Sequence, residues 1–276
     1  MQAINIKDLE KKYGDLFAVK DLNLQIKEGE IFGFVGKNGA GKSTTIRTIL
    51  NIIYPTKGET KVFDLNSITK SKDIKQLVSY VASEINFPND INCQTLINLT
   101  AQFYDFDNTK IKELTDHFEL DINKQISKLS LGNKKKVLVI LALLRNPKLY
   151  ILDEPTNGLD PYMQKLFFDI LLKEKQKGKT IFLSSHNLHE IEKYCDRVGF
   201  IKDGQLIDII DIKERIDQQK KIITYKLSDN TIHNTIYNDK DYNKLLLELS
   251  KKDVIDIEIK NSTLEDEFMH YYQGEQ

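Results

Sequence analysis

Residues 31 to 43 read IFGFVGKNGAGKS, an apolar run that passes into a glycine-studded loop and then Lys-Ser. Few features restrict the fold of a chain more tightly. The run IFGFVG reads as a buried strand, and the residues after the loop place Ile46, Ile49, Leu50 and Ile53 at helical spacing. Strand, loop and helix in that order match the pattern G-x-x-x-x-G-K-[ST] in the context the pattern needs. Gly36, Gly39 and Gly41 allow backbone N–H groups of Asn38, Ala40 and their neighbours to wrap phosphates, and the helix N-terminus at Ser43 and Thr44 adds partial positive charge. Lys42 can then reach the outer phosphates, and the Ser43 hydroxyl can coordinate Mg²⁺.

The same strand and helix alternation continues to about residue 210, which predicts an α/β domain with a mostly parallel sheet and an antiparallel β part at its N-terminus. Between about residues 85 and 147 the strands stop, and TLINLTAQFY, IKELTDHFEL and KKKVLVILALLRN read as helices of an inserted subdomain. KLYILDE restores a buried strand. After residue 212 the texture changes: ERIDQQKK reads as a charged connector, and IITYKL, TIHNTI, YNKLLLELSKK, VIDIEI and LEDEFMHYY form a small α+β appendage over 213–276. No Gly/Ser linker precedes it, so it is expected to pack on the main body. Its last helix places Leu264, Phe268 and Tyr271 or Tyr272 on one face, which suffices for docking.

Composition excludes several function classes. Forty Lys and Arg against 41 Asp and Glu leave a formal charge of −1, so no global field draws the chain to nucleic acid. Cys93 and Cys195 lack metal-ligand spacing and suit a reducing compartment as packing residues. The N-terminus lacks the apolar core of a signal peptide, and the longest apolar run, VLVILALL, is too short to span a bilayer, so the chain is expected to be soluble.

A second constellation follows the helical insert. LYILDEP ends an apolar strand on Asp153 and Glu154, at the sheet edge where the phosphate loop also emerges. Asp153 would hold Mg²⁺ through water, and Glu154, facing another way, would polarise an attacking water as general base. His186 ends the strand TIFLSSH, where its imidazole could donate to a terminal phosphate. His117, His189, His233 and His270 have no such context and read as structural.

Phosphate loop, LSLGN opening a helix, LDEP, NGLD and a strand-end His, in that order, resemble the nucleotide-binding subunit of an ATP-binding cassette (ABC) transporter over residues 1 to 210. The resemblance implies an ATPase in which LSLGN binds the γ-phosphate of ATP held by a second ATPase subunit: Ser130, Gly132 and Asn133 would act in trans, with Asp160 coupling the two sites. It implies that Tyr13 stacks on adenine, and that separate membrane-spanning permease subunits recruit the chain to the inner face of the cell membrane. Asp160 also suits a plain N-cap before Pro161, and both roles can hold. Two positions depart from the family pattern: Leu131 replaces the middle glycine of the signature, and Ser83, followed by Glu84, stands where a Gln usually contacts Mg²⁺. The SLG form resembles bacterial exporters of drugs or peptides. A soluble cassette ATPase acting in macromolecular or iron–sulfur cluster assembly stays open as the alternative.

Overall fold

The computed structural model describes residues 1–88, 90–217, 221–237 and 242–273. The chain opens with β1 (Gln2–Tyr13) and β2 (Leu16–Lys27), then β3 (Ile31–Val35) and α1 (Lys42–Ile49). Strands β4 (Lys57–Val62) and β5 (Leu65–Asn66), helix α2 (Ser71–Leu77) and strand β6 (Val78–Val81) lead to the helical stretch of α3 (Cys93–Ala101), α4 (Lys110–His117) and α5 (Leu131–Leu144). Then come β7 (Leu149–Asp153), α6 (Pro161–Gln176), β8 (Thr180–Ser185), α7 (Leu188–Tyr194), β9 (Arg197–Lys202) and β10 (Gln205–Asp211).

The central sheet has the order β10-β9-β3-β8-β7-β6, with every pairing parallel except the β9–β10 hairpin. Successive residues of its strands point to opposite faces, and both faces are covered, so β3, β7 and β8 are buried at every position. Phe32, Phe34, Ile151 and Phe182 face α1 and the antiparallel sheet β2-β1-β4-β5, while Ile31, Tyr150, Leu152, Ile181 and Leu183 face the cluster built by α5, α6 and α7. The parallel register sets Val35 beside Ser185 and Asp153 beside Ser184, so the chain leaves β3, β7 and β8 at one edge. That edge carries the site.

Local signals set the helix ends. Asp160 caps α6 by accepting from Met163 N at 3.0 Å, with Pro161 at the first position, and Ser130 caps α5 by accepting from Asn133 N at 3.3 Å. Helix α1 stops at Ile49, earlier than the apolar spacing out to Ile53 suggests, because Asn51 turns into the left-handed region at φ 50°.

The connector ERIDQQKK is partly a helix. Its first residues belong to α8 (Ile212–Asp217), because the Asp211 carboxylate accepts from Lys213 N and Glu214 N, and Arg215 bonds Glu192 and the Ser262 carbonyl, each at 2.6 Å. Gln218, Gln219 and Lys220 lie outside the described residues. Beyond them β11 (Lys221–Leu227), β12 (Ile232–Tyr237) and β13 (Val254–Asn261) form an antiparallel sheet in the order β12-β11-β13, and Leu245 and Leu249 of α9 (Tyr242–Leu249) share a small core with Ile223 and Tyr225. Helix α10 (Leu264–Gln273) returns to the main body, burying Leu264 and setting the Phe268 ring 5.8 Å from that of Phe200. The side chains of His270, Tyr271 and Tyr272 lie outside the described residues. His117 approaches Glu113 at 3.9 Å and His233 stacks on Tyr225, both away from the sheet edge that bears the site.

Phe182 is fully buried, with its ring 5.6 Å from Phe34 and 6.1 Å from Phe32. Phe182→Ala should therefore cost about 3–5 kcal/mol, read as a lower urea midpoint at unchanged slope.

Candidate active site

At the common edge of β3, β7 and β8 a cavity of about 370 Å³ is lined by Lys37 through Thr44 and by Ser83, Glu154, Asn157 and His186. The phosphate loop supplies its floor. Gly41, at the N-cap of α1, has φ 107°, and a Cβ there would lie 2.5 Å from the Ala18 carbonyl oxygen, so no other residue closes this turn. The loop holds Lys42 buried: its Nζ donates to the Gly36 carbonyl at 2.6 Å and the Lys37 carbonyl at 3.3 Å, and stands 3.5 Å from Glu154 Oε1.

Three groups orient the carboxylates. Asp153, fully buried, accepts from Ser184 Oγ at 2.6 Å, and the same hydroxyl accepts from Glu154 N at 3.1 Å. Glu154 lies one residue past the end of β7 at φ 48°, so a left-handed backbone, and not strand alternation, turns its side chain into the cavity. Its Oε2 lies 2.9 Å from His186 Nδ1, whose ring is largely exposed while Glu154 is buried. His186 thus touches the carboxylate directly, a contact sequence reading missed. Asn187 caps α7 by accepting from Glu190 N, and Glu190 accepts from Thr156 Oγ1 at 3.1 Å, which fixes the turn carrying His186. Burial raises the Glu190 carboxyl above its ordinary range.

The donor set suits a hard divalent cation. Asp153 Oδ2 is buried without a hydrogen-bond partner and the Ser43 residue lines the cavity. Among the described residues no cluster of three His, Cys, Asp or Glu could hold a metal. Of the two further candidate contacts, Ser83 lines the cavity, whereas Glu84 is exposed and 3.6 Å from Arg47.

The remaining predicted residues stand elsewhere. Tyr13, half-exposed at the end of β1 with Lys11 Nζ 5.0 Å from its ring centre, is not on the lining. Ser130, Gly132, Asn133 and Asp160 are not on the lining either; a Cβ on Gly132 would come within 2.7 Å of the Gly158 carbonyl oxygen, so the start of α5 and the NGLD turn touch. Leu131 beside them is 69% exposed.

Ser184, Asn157 and Lys135 were not foreseen. Lys135 is the middle of three consecutive lysines, yet it is 1% exposed and its Nζ donates to the Ala82 carbonyl at 3.0 Å. Its helical spacing to the buried Val139 and Ala142 is the signal that marks it. Burial pushes its ammonium down to about 8, with Asp153 and Glu154 pulling the other way.

Comparison with known proteins now decides the family. The family model described as ABC transporter matches residues 19–157. The bacitracin transport ATP-binding protein BcrA of Bacillus licheniformis is 36% identical over 233 residues, 82% of this chain and 75% of that protein. This chain belongs to the ABC transporter family. Like that family's ATP-binding subunits it is an ATPase. An uncharacterized ABC transporter ATP-binding protein of Methanocaldococcus jannaschii aligns over 96% of this chain and 98% of its own length at 32% identity, so the likeness extends through the C-terminal segment. Among solved structures, an ATP-binding subunit of an ABC transporter superposes with a TM-score of 0.72 at 26% identity, over 78% of this chain and 92% of that one. A dimeric bacterial ABC transporter cassette does so with 0.69 at 25% identity, over 76% and 98%.

The depressed Lys135 ammonium gives a signed stability test. The unfolded chain holds this proton up to about pH 10.5 and the folded chain only to about 8, so folding gains stability as pH rises through that window. Relative to Lys135→Met, the wild type should gain about 3 kcal/mol between pH 8 and 10.5, read from urea unfolding of both proteins at each pH.

Proposed function

We propose that this protein powers export of a drug or peptide through separate membrane-spanning subunits, working on the cytoplasmic face of the membrane as one of two cassettes that close over ATP. The observation that carries this reading is the split of the site. Lys42, Ser43, Glu154 and His186 converge on one cavity, whereas Ser130, Gly132 and Asp160 lie off its lining, the start of α5 touching the NGLD turn at Gly158. A signature placed there serves a nucleotide held by another subunit.

Each residue then has a distinct task. Backbone N–H groups from Asn38 to Thr44 and the start of α1 cradle the phosphates, and Lys42 exchanges its carbonyl and Glu154 contacts for phosphate oxygens. Glu154, released from Lys42, accepts a proton from the attacking water, and His186 holds the carboxylate and the water in line. Ser43 directly, Asp153 through water and Ser83 would hold Mg²⁺, which when bound would neutralise charge developing on the phosphoryl oxygens. Tyr13 stacks on the adenine ring. In the partner subunit's site, Ser130 and Asn133 donate to the γ-phosphate, Gly132 lets the α5 N-terminus approach it, and Asp160 couples the two sites.

Residues 1–212 make up the ATPase domain, with 85–147 as the helical subdomain on which the permease presses, and 213–276 form an accessory domain. Several lines support this reading. No helix among the described residues is long and apolar enough to cross a membrane, which leaves the span to other chains. Relatives named as bacitracin transport and Nod factor export ATP-binding proteins favour export, and the net charge of −1 argues against a nucleic-acid partner.

Glu154→Gln should lower steady-state hydrolysis by about 10³-fold while nucleotide binding persists, and Lys42→Ala should abolish binding itself. Hydrolysis by Glu154→Gln at the wild-type rate would remove Glu154 as the base and, with it, this reading.

A further inference from the structure

Lysine is a costly residue to bury. An ammonium taken out of water loses several kcal/mol of hydration, and an apolar side chain of the same volume often serves stability as well or better. Lys135 is 1% exposed, lies one and a half turns into α5 and belongs to no part of the nucleotide cavity. Its Nζ donates to the carbonyl of Ala82, the residue between the end of β6 and Ser83, and Ser83 lines the cavity. A second bond ties the same two elements, from Ser79 Oγ to the Ala142 carbonyl at 3.0 Å. Helix α5 begins at the signature, and the loop after β6 lines the chain's own site. Lys135 is therefore, on this reading, a polar link between a surface facing another subunit's nucleotide and a loop facing its own. Asp153 and Glu154 also act on it electrostatically.

We propose that Lys135 is a positioning residue for hydrolysis: through the Ala82 carbonyl it holds the Ser83 loop in register with the signature helix, so that docking of Ser130 and Gly132 on a partner's ATP sets Ser83 in this chain's own cavity. The proposal rests on the two-cassette reading and adds to it a residue that touches neither nucleotide. It also accounts for how a loop without the family's usual Gln is kept in place: the backbone before Ser83 is anchored to α5 instead of relying on the side chain at position 83.

The test is a double-mutant cycle on the full chain. Mg-ATP hydrolysis is measured for wild type, Lys135→Met, Ser83→Ala and the double variant, with each rate divided by the number of nucleotide sites titrated with a fluorescent ATP analogue. Met keeps the stem and removes the donor and the charge. The proposal expects Lys135→Met to lower kcat about ten-fold with KM within about two-fold of wild type, Ser83→Ala to lower kcat as well, and the double variant to be no slower than the slower single variant. A residue that only supports the fold would reduce the number of sites and leave kcat per site unchanged. Wild-type kcat per site in Lys135→Met overturns the proposal. So does a double variant whose loss is the product of the two single losses, which includes the case of a silent Ser83→Ala. Should Lys135→Met not fold, Lys135→Gln carries the same criteria, since Gln is too short to reach the Ala82 carbonyl from the same backbone. Glu154→Gln run in parallel separates the two readings: if it hydrolyses normally, the assignment of the site fails, whereas if it is inactive and Lys135→Met turns over as wild type, the Lys135 link alone fails.

Discussion

A buried cation meeting a buried carboxylate, Lys42 Nζ 3.5 Å from Glu154 Oε1, joins the two halves of the site. Neither charge would be tolerated alone in that interior, where removing one partner of a buried pair costs about 3–5 kcal/mol. The pair holds because the parallel sheet delivers the ends of β3 and β7 to one edge, the Gly41 turn aims Lys42 back across it, and the left-handed Glu154 faces the same way. In the function proposed, a phosphate oxygen replaces the Glu154 carboxylate as the partner of Lys42, which leaves that carboxylate free to take a proton.

Further groups act on the carboxylates. Ser184 fixes Asp153 and the backbone of Glu154 with one hydroxyl, His186 meets Glu154 from the exposed side, and the Lys135 ammonium interacts with both carboxylates electrostatically. Such an arrangement is preorganised: the dipoles and charges that a phosphoryl transfer needs are already aimed, and little reorganisation remains for the chemical step. The helical stretch contributes through α5, whose N-terminus leans on Gly158 and whose buried side packs into the cluster shared with β7.

Much of this was legible because the phosphate loop is a local code. Its strand, turn and helix are contiguous, and the glycines are demanded by backbone geometry that nearby atoms enforce. Asp153, Glu154 and His186 could be placed at the right sheet edge because parallel strands align their ends. What stayed hidden depends on contacts between distant segments. The Glu154 to His186 bond spans 32 residues, and it needs a backbone turn at Glu154 that composition does not announce. Lys135 was concealed by its neighbours Lys134 and Lys136, since a triplet of like charges looks solvated even when the helical phase buries its middle member. The end of α1 and the start of α8 were misjudged for a smaller reason. Asn51 and Asp211 act through single backbone and side-chain bonds that outweigh the apolar or charged texture around them.

The central claim is that the cavity is half of a site and that LSLGN completes it from another subunit. Light scattering on Glu154→Gln with and without Mg-ATP, beside the same variant carrying Ser130→Arg, addresses it most directly. The account predicts that ATP converts Glu154→Gln from monomer to dimer, and that Ser130→Arg prevents this while each chain still binds nucleotide. A Glu154→Gln protein that binds Mg-ATP and stays monomeric, or a dimer indifferent to Ser130→Arg, would contradict it.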